Sequence, residues 1–202
     1  MDRPAARTHG VDRLRSPAIA IAVALVLTAC ATPAPLTTPP MVPIAPLSDA
    51  AFGVDGRLSA KRGDEGISVG FSWRHDPPRD AFTVTTPLGQ VLAELAGDAT
   101  RREVGIVLAD GRREVAADWP ALTSRTLGFS LPVAGLSAWV RGAPHAASPW
   151  TVETDASGRA RVLRQDGWEI VYGYADDGER QPARLRLFGS ETEMRIAIDR
   201  WH

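Results

Sequence analysis

Cys30, the chain's one cysteine, carries the most legible chemistry. It closes the run Leu27-Thr28-Ala29-Cys30, which follows an uncharged Ala, Ile, Val and Leu stretch over 17–27 and a lead containing Arg3, Arg7, Arg13 and Arg15. A basic lead, a short apolar core and small residues before a cysteine form a lipoprotein signal. The apolar run is shorter than the roughly 20 residues that cross a bilayer. Cleavage before Cys30 frees its thiol for diacylglyceryl attachment and its amino group for a third acyl chain, and each buried methylene adds about 0.8 kcal/mol of anchoring.

Other reactive groups are sparse and scattered. The histidines are His9, His75, His145 and His202, with no His-x-x-x-His or Glu-x-x-His spacing and no second cysteine for a zinc site. No Gly-x-Ser-x-Gly elbow is present. Gly66-x-x-x-Gly70 lacks the Lys-Ser/Thr of a phosphate loop and reads as close strand packing or a bulge. The expectation is therefore a protein that is not an enzyme and holds no metal or cofactor. If catalysis existed, His75 and His145 would be the first residues to substitute.

The carriers of this chemistry fall into three parts: a signal over 1–29, the acylated cysteine and a tether over 30–47, and a folded domain over 48–202. Pro33, Pro35, Pro39, Pro40, Pro43 and Pro46 prevent a helix and favour an extended tether. Of the 23 basic and 24 acidic side chains, four and two lie in residues 1–29, leaving 19 and 22 and a formal charge of −3. That balance gives no footing for nucleic acid. No internal disulfide is possible, so the domain depends on its core.

From Phe52 onward the apolar pattern has a period of two. Ile67, Val69, Phe71 and Trp73 share a face, as do Phe82 and Val84, Trp168, Ile170, Tyr172 and Tyr174, Leu185 and Leu187 between arginines, and Met194, Ile196 and Ile198. Asp76-Pro77-Pro78, Gly97-Asp98, Asp110-Gly111, Ser157-Gly158 and Asp176-Asp177-Gly178 punctuate these runs as turns. Asp118 is placed to cap a helix over 119–127 that stops at Gly128. A second helix is predicted over 133–141, and Ser48 and Asp49 are expected to cap a short turn. The reading is mainly β: a curled antiparallel sheet, covered by short helices inserted in mid-sequence.

The aromatic inventory is weighted to tryptophan. All six, Trp73, Trp119, Trp139, Trp150, Trp168 and Trp201, lie in the folded part beside only two tyrosines. Core packing accounts for such residues without any ligand. A curled sheet lined by bulky groups can also fail to fill itself, leaving a hollow for an acyl chain.

The order of motifs resembles the LolB family of outer-membrane lipoprotein receptors of Gram-negative bacteria. The likeness covers nearly all of the folded part: Gly56-Arg57-Leu58, Phe71-Ser72-Trp73, Thr86-Pro87-Leu88-Gly89, Leu131-Pro132 with Leu136 and Trp139 through Gly142 and Pro144, Gln165-x-Gly167-Trp168 running to Tyr172 and Tyr174, Pro182-x-x-Leu185, and Ile196-x-Ile198-Asp199-x-Trp201. The resemblance implies an incomplete, half-open antiparallel barrel with short helices over a hydrophobic cavity. It also implies transfer of acylated lipoprotein cargo from the periplasmic carrier LolA into the outer membrane, without nucleotide hydrolysis.

Residue by residue, the resemblance makes Pro87, Leu88 and Gly89 a membrane-insertion loop. Trp73, Trp139 and Trp168 become cavity aromatics, with Phe71, Val84, Ile170 and Tyr172 sharing the lining by strand phase. Ala31 stands where enterobacterial lipoproteins kept in the inner membrane carry Asp, so a periplasm-facing, lipid-anchored monomer at the outer membrane is expected. The arginine-rich turns Arg101-Arg102 and Arg112-Arg113 and the proline-rich tether are not family signatures. The competing reading is an adaptor lipoprotein that binds an envelope complex or peptidoglycan through a solid-cored sheet.

Overall fold

Among the described residues, period-two alternation produces eleven strands: β1 (Phe52–Arg62), β2 (Glu65–Asp76), β3 (Arg79–Thr85), β4 (Val91–Asp98), β5 (Glu103–Leu108), β6 (Arg113–Ala116), β7 (Trp150–Thr154), β8 (Ala160–Gln165), β9 (Trp168–Gly173), β10 (Arg184–Phe188) and β11 (Thr192–Trp201). The computed structural model describes residues 44–127, 130–189 and 191–202. Cys30, the signal and most of the tether lie outside the described residues, as does Gly128.

The strands form one antiparallel sheet in the order β6-β5-β4-β3-β2-β1-β11-β10-β9-β8-β7. Sequence neighbours therefore pair throughout except β6 with β7, and the first and last strands join at the central β1–β11 seam. There Gly53 and His202 exchange backbone hydrogen bonds. The two edges, β6 and β7, do not pair, so the barrel is incomplete. Asp110-Gly111, Ser157-Gly158 and Asp176-Asp177-Gly178 fall between strands as expected, whereas Gly97-Asp98 end β4 and its turn follows them; Asp76 ends β2, and Pro77-Pro78 is a cis peptide in the β2–β3 turn.

Two helices, α1 (Trp119–Leu127) and α2 (Val133–Trp139), lie between the edge strands in sequence. β6 ends at one rim of the sheet and β7 starts at the other, so the segment between them must cross from rim to rim. Asp118 caps α1 as expected: its Oδ1 accepts a 2.8 Å bond from the Ala121 N–H. α2 is shorter than predicted, ending at Trp139 with Val140 as its cap. Trp139 folds back over Gly135, where an added Cβ would sit 2.6 Å from the ring. Ser48 and Asp49 do not cap the short turn expected of them. Asp49 turns to His75, and the Ser48 carbonyl accepts bonds from the Ala50 N–H and from Arg141. Ile44, inside the expected tether, already packs against the core.

The buried residues divide into two clusters. The larger joins β1 and β7–β11 to α2 and includes Leu163, Ile170, Leu187 and Met194. The smaller joins β4 and β5 to α1 through Leu95, Ile106, Trp119 and Leu122.

Candidate functional site

Between these clusters lies an apolar hollow of about 370 Å³, within the roughly 300–1,000 Å³ range of small-molecule sites. β2 supplies one wall through Ile67, Val69, Phe71 and Trp73, the four residues that share a phase in the sequence. Phe82, Val84, Ala93, Leu95 and Ile106 continue the wall over β3–β5, and Leu131, Leu136 and Val140 face them from the helical segment.

Among the described residues, the two hydroxyl-bearing side chains in this lining belong to α1, and both are satisfied locally. Thr123 Oγ1 donates to the Trp119 carbonyl at 2.8 Å and accepts from the Leu131 N–H at 2.8 Å. Thr126 Oγ1 donates to the Leu122 carbonyl at 2.9 Å. Neither hydroxyl is left seeking a partner inside, so the hollow offers burial and no polar recognition.

Burial along β2 shows which way the hollow faces. Trp73 and His75 are buried, whereas Ile67, Val69 and Phe71 are only half-buried. The hollow thus opens toward the rim where β3 turns into β4, and it closes at the far end. That closed end is a run of aromatics: Phe52 meets Trp73 edge-on at 5.0 Å, Trp73 stacks on Phe82 at 4.9 Å, and Phe82 meets Trp119 edge-on at 5.4 Å. Gly97 makes room for this wall, since a Cβ there would lie 2.5 Å from Trp119.

A polar clasp holds the wall from behind. Trp73 Nε1 donates to Asp80 Oδ1 at 2.8 Å. His75 is buried with Nδ1 2.8 Å from the same oxygen and Nε2 2.8 Å from Asp49 Oδ1. Both ring nitrogens can donate only in the imidazolium form. Burial alone would lower the His75 pKa, but hydrogen bonds and charge from Asp80 and Asp49 outweigh it and the net shift is upward.

At the open rim, Leu88 is 90% exposed. Its turn is closed by Gly89 N–H to the Thr86 carbonyl, Thr86 N–H to the Gln90 carbonyl, and Gln90 N–H to Thr86 Oγ1. Gly89 has φ +85, a conformation that glycine adopts without strain. The chain is held rigidly with its leucine outward. Beside it Val91 and Leu92 are also exposed. Val84 pairs with Ala93 and Thr85 with Val91, so Leu92 is the extra residue of a bulge. The bulge lets Leu92 join the lining of the hollow although it is adjacent to inward-facing Ala93.

The residues singled out from sequence separate here. Phe71, Trp73 and Val84 border the hollow. Trp139, Ile170 and Tyr172 do not: they are buried in the larger cluster, where residues of α2 pack with those of β8–β10. Trp139 Nε1 donates to Gln165 Oε1 at 2.8 Å, an oxygen that also accepts from the His145 N–H, while Gln165 Nε2 donates to the His145 and Ser148 carbonyls. The Tyr172 hydroxyl has no partner among the described residues, and burial pushes its pKa well up. Trp168 is half-buried against Gly189. Sequence reasoning missed Leu58, Leu92 and Trp119 as lining. Trp119 could have been suspected as the first residue of an inserted helix, whereas the bulge at Leu92 has no sequence signal.

No helix among the described residues is long and apolar enough to cross a membrane, and no three His, Cys, Asp or Glu side chains there are grouped to hold a metal ion. An open antiparallel shell with an unfilled apolar interior and an exposed leucine at its mouth defines a lipid-handling class of protein. The family model described as outer membrane lipoprotein LolB matches residues 50–201. The outer-membrane lipoprotein LolB of Azoarcus sp. (strain BH72) is 35% identical over 91% of this chain and 93% of its own. That of Thiobacillus denitrificans is 34% identical over 93% and 98%. The chain belongs to the LolB family. Among solved structures, a DUF1329 family protein from Desulfovibrio piger superposes with a TM-score of 0.44 at 8% identity over 77% of this chain and 86% of that one, a likeness too distant to bear on function.

Proposed function

We propose that this protein is a lipid-anchored receptor at the outer membrane that takes lipoproteins from a soluble LolA-type carrier by binding their acyl chains, and inserts them into the bilayer. One observation carries this reading: the hollow is apolar throughout, its two hydroxyls are engaged by α1, and it opens at the rim bearing Leu88. Phe71, Trp73 and Val84 act as acyl-binding walls, and Trp139, Trp168, Ile170 and Tyr172 as support. Pro87, Leu88 and Gly89 form the membrane-contacting loop, Cys30 the acylated anchor, 1–29 the signal and 30–47 the tether. Transfer runs downhill because a methylene in a partly filled hollow gains less than the about 0.8 kcal/mol available in a bilayer. No bond is made or broken. An adaptor would have a solid core, and this sheet is hollow.

The test uses residues 30–202 carrying Cys30→Ala, which keeps every described strand and helix. Incubated with a loaded carrier and no nucleotide, the chain is expected to take the cargo and release it to vesicles. Leu88→Glu should accept cargo yet fail to deliver it. A folded chain that takes no cargo overturns the receptor reading, and normal delivery by Leu88→Glu overturns the role of the loop.

A further inference from the structure

The sheet's outer face carries a second feature that the acyl hollow does not use. A depression of about 620 Å³ on that face is bordered by Arg57, Arg184, Arg186 and Arg195, with Ser59 and Ser68 beside them. The register explains the grouping. Ser68 pairs with Ser59, Ser59 with Arg195, and Arg195 with Arg186, setting two hydroxyls and two guanidiniums in one cross-strand row. In the next row Gly70 pairs with Arg57, Arg57 with Ala197, Ala197 with Arg184, and Arg184 with Gly173. In this second row small residues alternate with arginines, and in the first the two serines lie beside the two arginines, so the guanidiniums stand around a shallow floor.

The charges here are incompletely balanced within the protein. Like charges directly opposite on neighbouring strands destabilise a sheet, yet Arg186 and Arg195 face each other and share one carboxylate oxygen, Glu193 Oε1, at 3.5 and 2.9 Å. Arg57 is held by Asp199 at 2.8 Å. The Arg184 guanidinium has no ion pair or hydrogen bond among the described residues, although its backbone is paired with β9 and β11. Among the described residues these four guanidiniums meet two carboxylates, an excess of two positive charges beside two hydroxyls without a hydrogen-bond partner there. Planar guanidinium forks match phosphate oxygens bidentately, and serine hydroxyls supply further donors.

We propose that this depression binds a phosphate group. Lipid headgroups and free phosphate share that chemistry, and the position favours the headgroup. Thr85, the last residue before the Leu88 turn, pairs with Gly70 and so continues the Arg57–Arg184 row. At about 4.8 Å per strand, the turn lies about 10 Å from Arg57 and about 20 Å from Arg184. An exposed leucine with basic groups at that spacing is the combination that holds proteins at an anionic bilayer surface. Only this lipid source depends on the receptor reading; the phosphate site stands on its own residues.

The test compares the 30–202 Cys30→Ala chain with Arg184→Gln and the Arg184→Gln/Arg186→Gln pair, all confirmed folded by circular dichroism. Binding is measured to vesicles of phosphatidylglycerol mixed with phosphatidylethanolamine, to phosphatidylethanolamine alone, and to inorganic phosphate. The expected result is salt-sensitive binding to the phosphatidylglycerol vesicles that weakens about fivefold for one substitution and about 25-fold for two. Substitution-sensitive binding to inorganic phosphate alone keeps the site and assigns it a soluble ligand. Absence of binding to every probe, or binding unchanged in the double variant, overturns the proposal. So does a double variant that loses only carrier docking, which would make the patch a protein interface. Cargo uptake in solution, measured on the same variants, reports separately on the receptor reading.

Discussion

The two halves of the curled sheet are built from the same alternating strands and end in opposite states. Under α2, Trp139 is 0% exposed and fills the space over β8–β10, with Leu163, Ile170 and Leu187 packed around it and Gln165 satisfying every polar group it meets. Over β2–β5, α1 contributes Trp119 at one end and two threonines whose hydroxyls are turned to its own backbone, so the space between the sheet's apolar face and the helical segment is left unfilled. Strand phase is equally good in both halves. What separates scaffold from site is the volume that the crossing segment delivers onto each half.

That contrast can be broken by mutation, most severely in the packed half. Trp139→Ala should cost about 3–5 kcal/mol in chemical denaturation, because it opens a large void and removes one of the two hydrogen bonds to Gln165 Oε1. A paired insertion sharpens the comparison. Ala160→Phe, in the packed half, should destabilise by about 1–3 kcal/mol. Ala93→Phe, which points into the hollow, should cost under about 1.5 kcal/mol while lowering affinity for a fluorescent fatty acyl probe at least tenfold. Equal stability losses at the two alanines would remove the distinction between the halves.

Smaller effects come from the polar groups. His75 has a folded-state pKa raised above its ordinary value by Asp80 and Asp49, against the effect of burial. Its stabilisation is therefore full below the unfolded pKa of about 6.5 and is lost as pH rises through the folded value. Thermal melts from pH 5.5 to 9 should show the parent losing its advantage over His75→Gln as pH rises; a constant gap would contradict the clasp. Least of all, Tyr172→Phe should be neutral or stabilising by up to about 1 kcal/mol, since its buried hydroxyl lacks a partner.

Much of this was legible in the sequence, and for identifiable reasons. The β2 face of Ile67, Val69, Phe71 and Trp73 follows from alternation, and the Asp118 cap from side-chain chemistry. Leu88 between Pro87 and Gly89 stood out only through its resemblance to a known family, because an isolated leucine in a turn has no physical mark of exposure. The resemblance places Trp139 in the cavity and strand phase adds Ile170 and Tyr172, but phase reveals only which face a residue occupies and carries no information on what is packed above it. The bulge at Leu92 and the Asp49–His75–Asp80 clasp depend on register and on contacts distant in sequence, which no local pattern encodes.

The most direct test is to load the protein from its carrier with a lipopeptide whose acyl tails end in a diazirine, irradiate, and map the adducts by mass spectrometry. The account predicts labelling on β2–β5 and α1, at residues such as Val69, Phe71, Val84, Leu95 and Trp119. Adducts concentrated on β8–β10, at Leu163, Ile170 or Leu187, would contradict it.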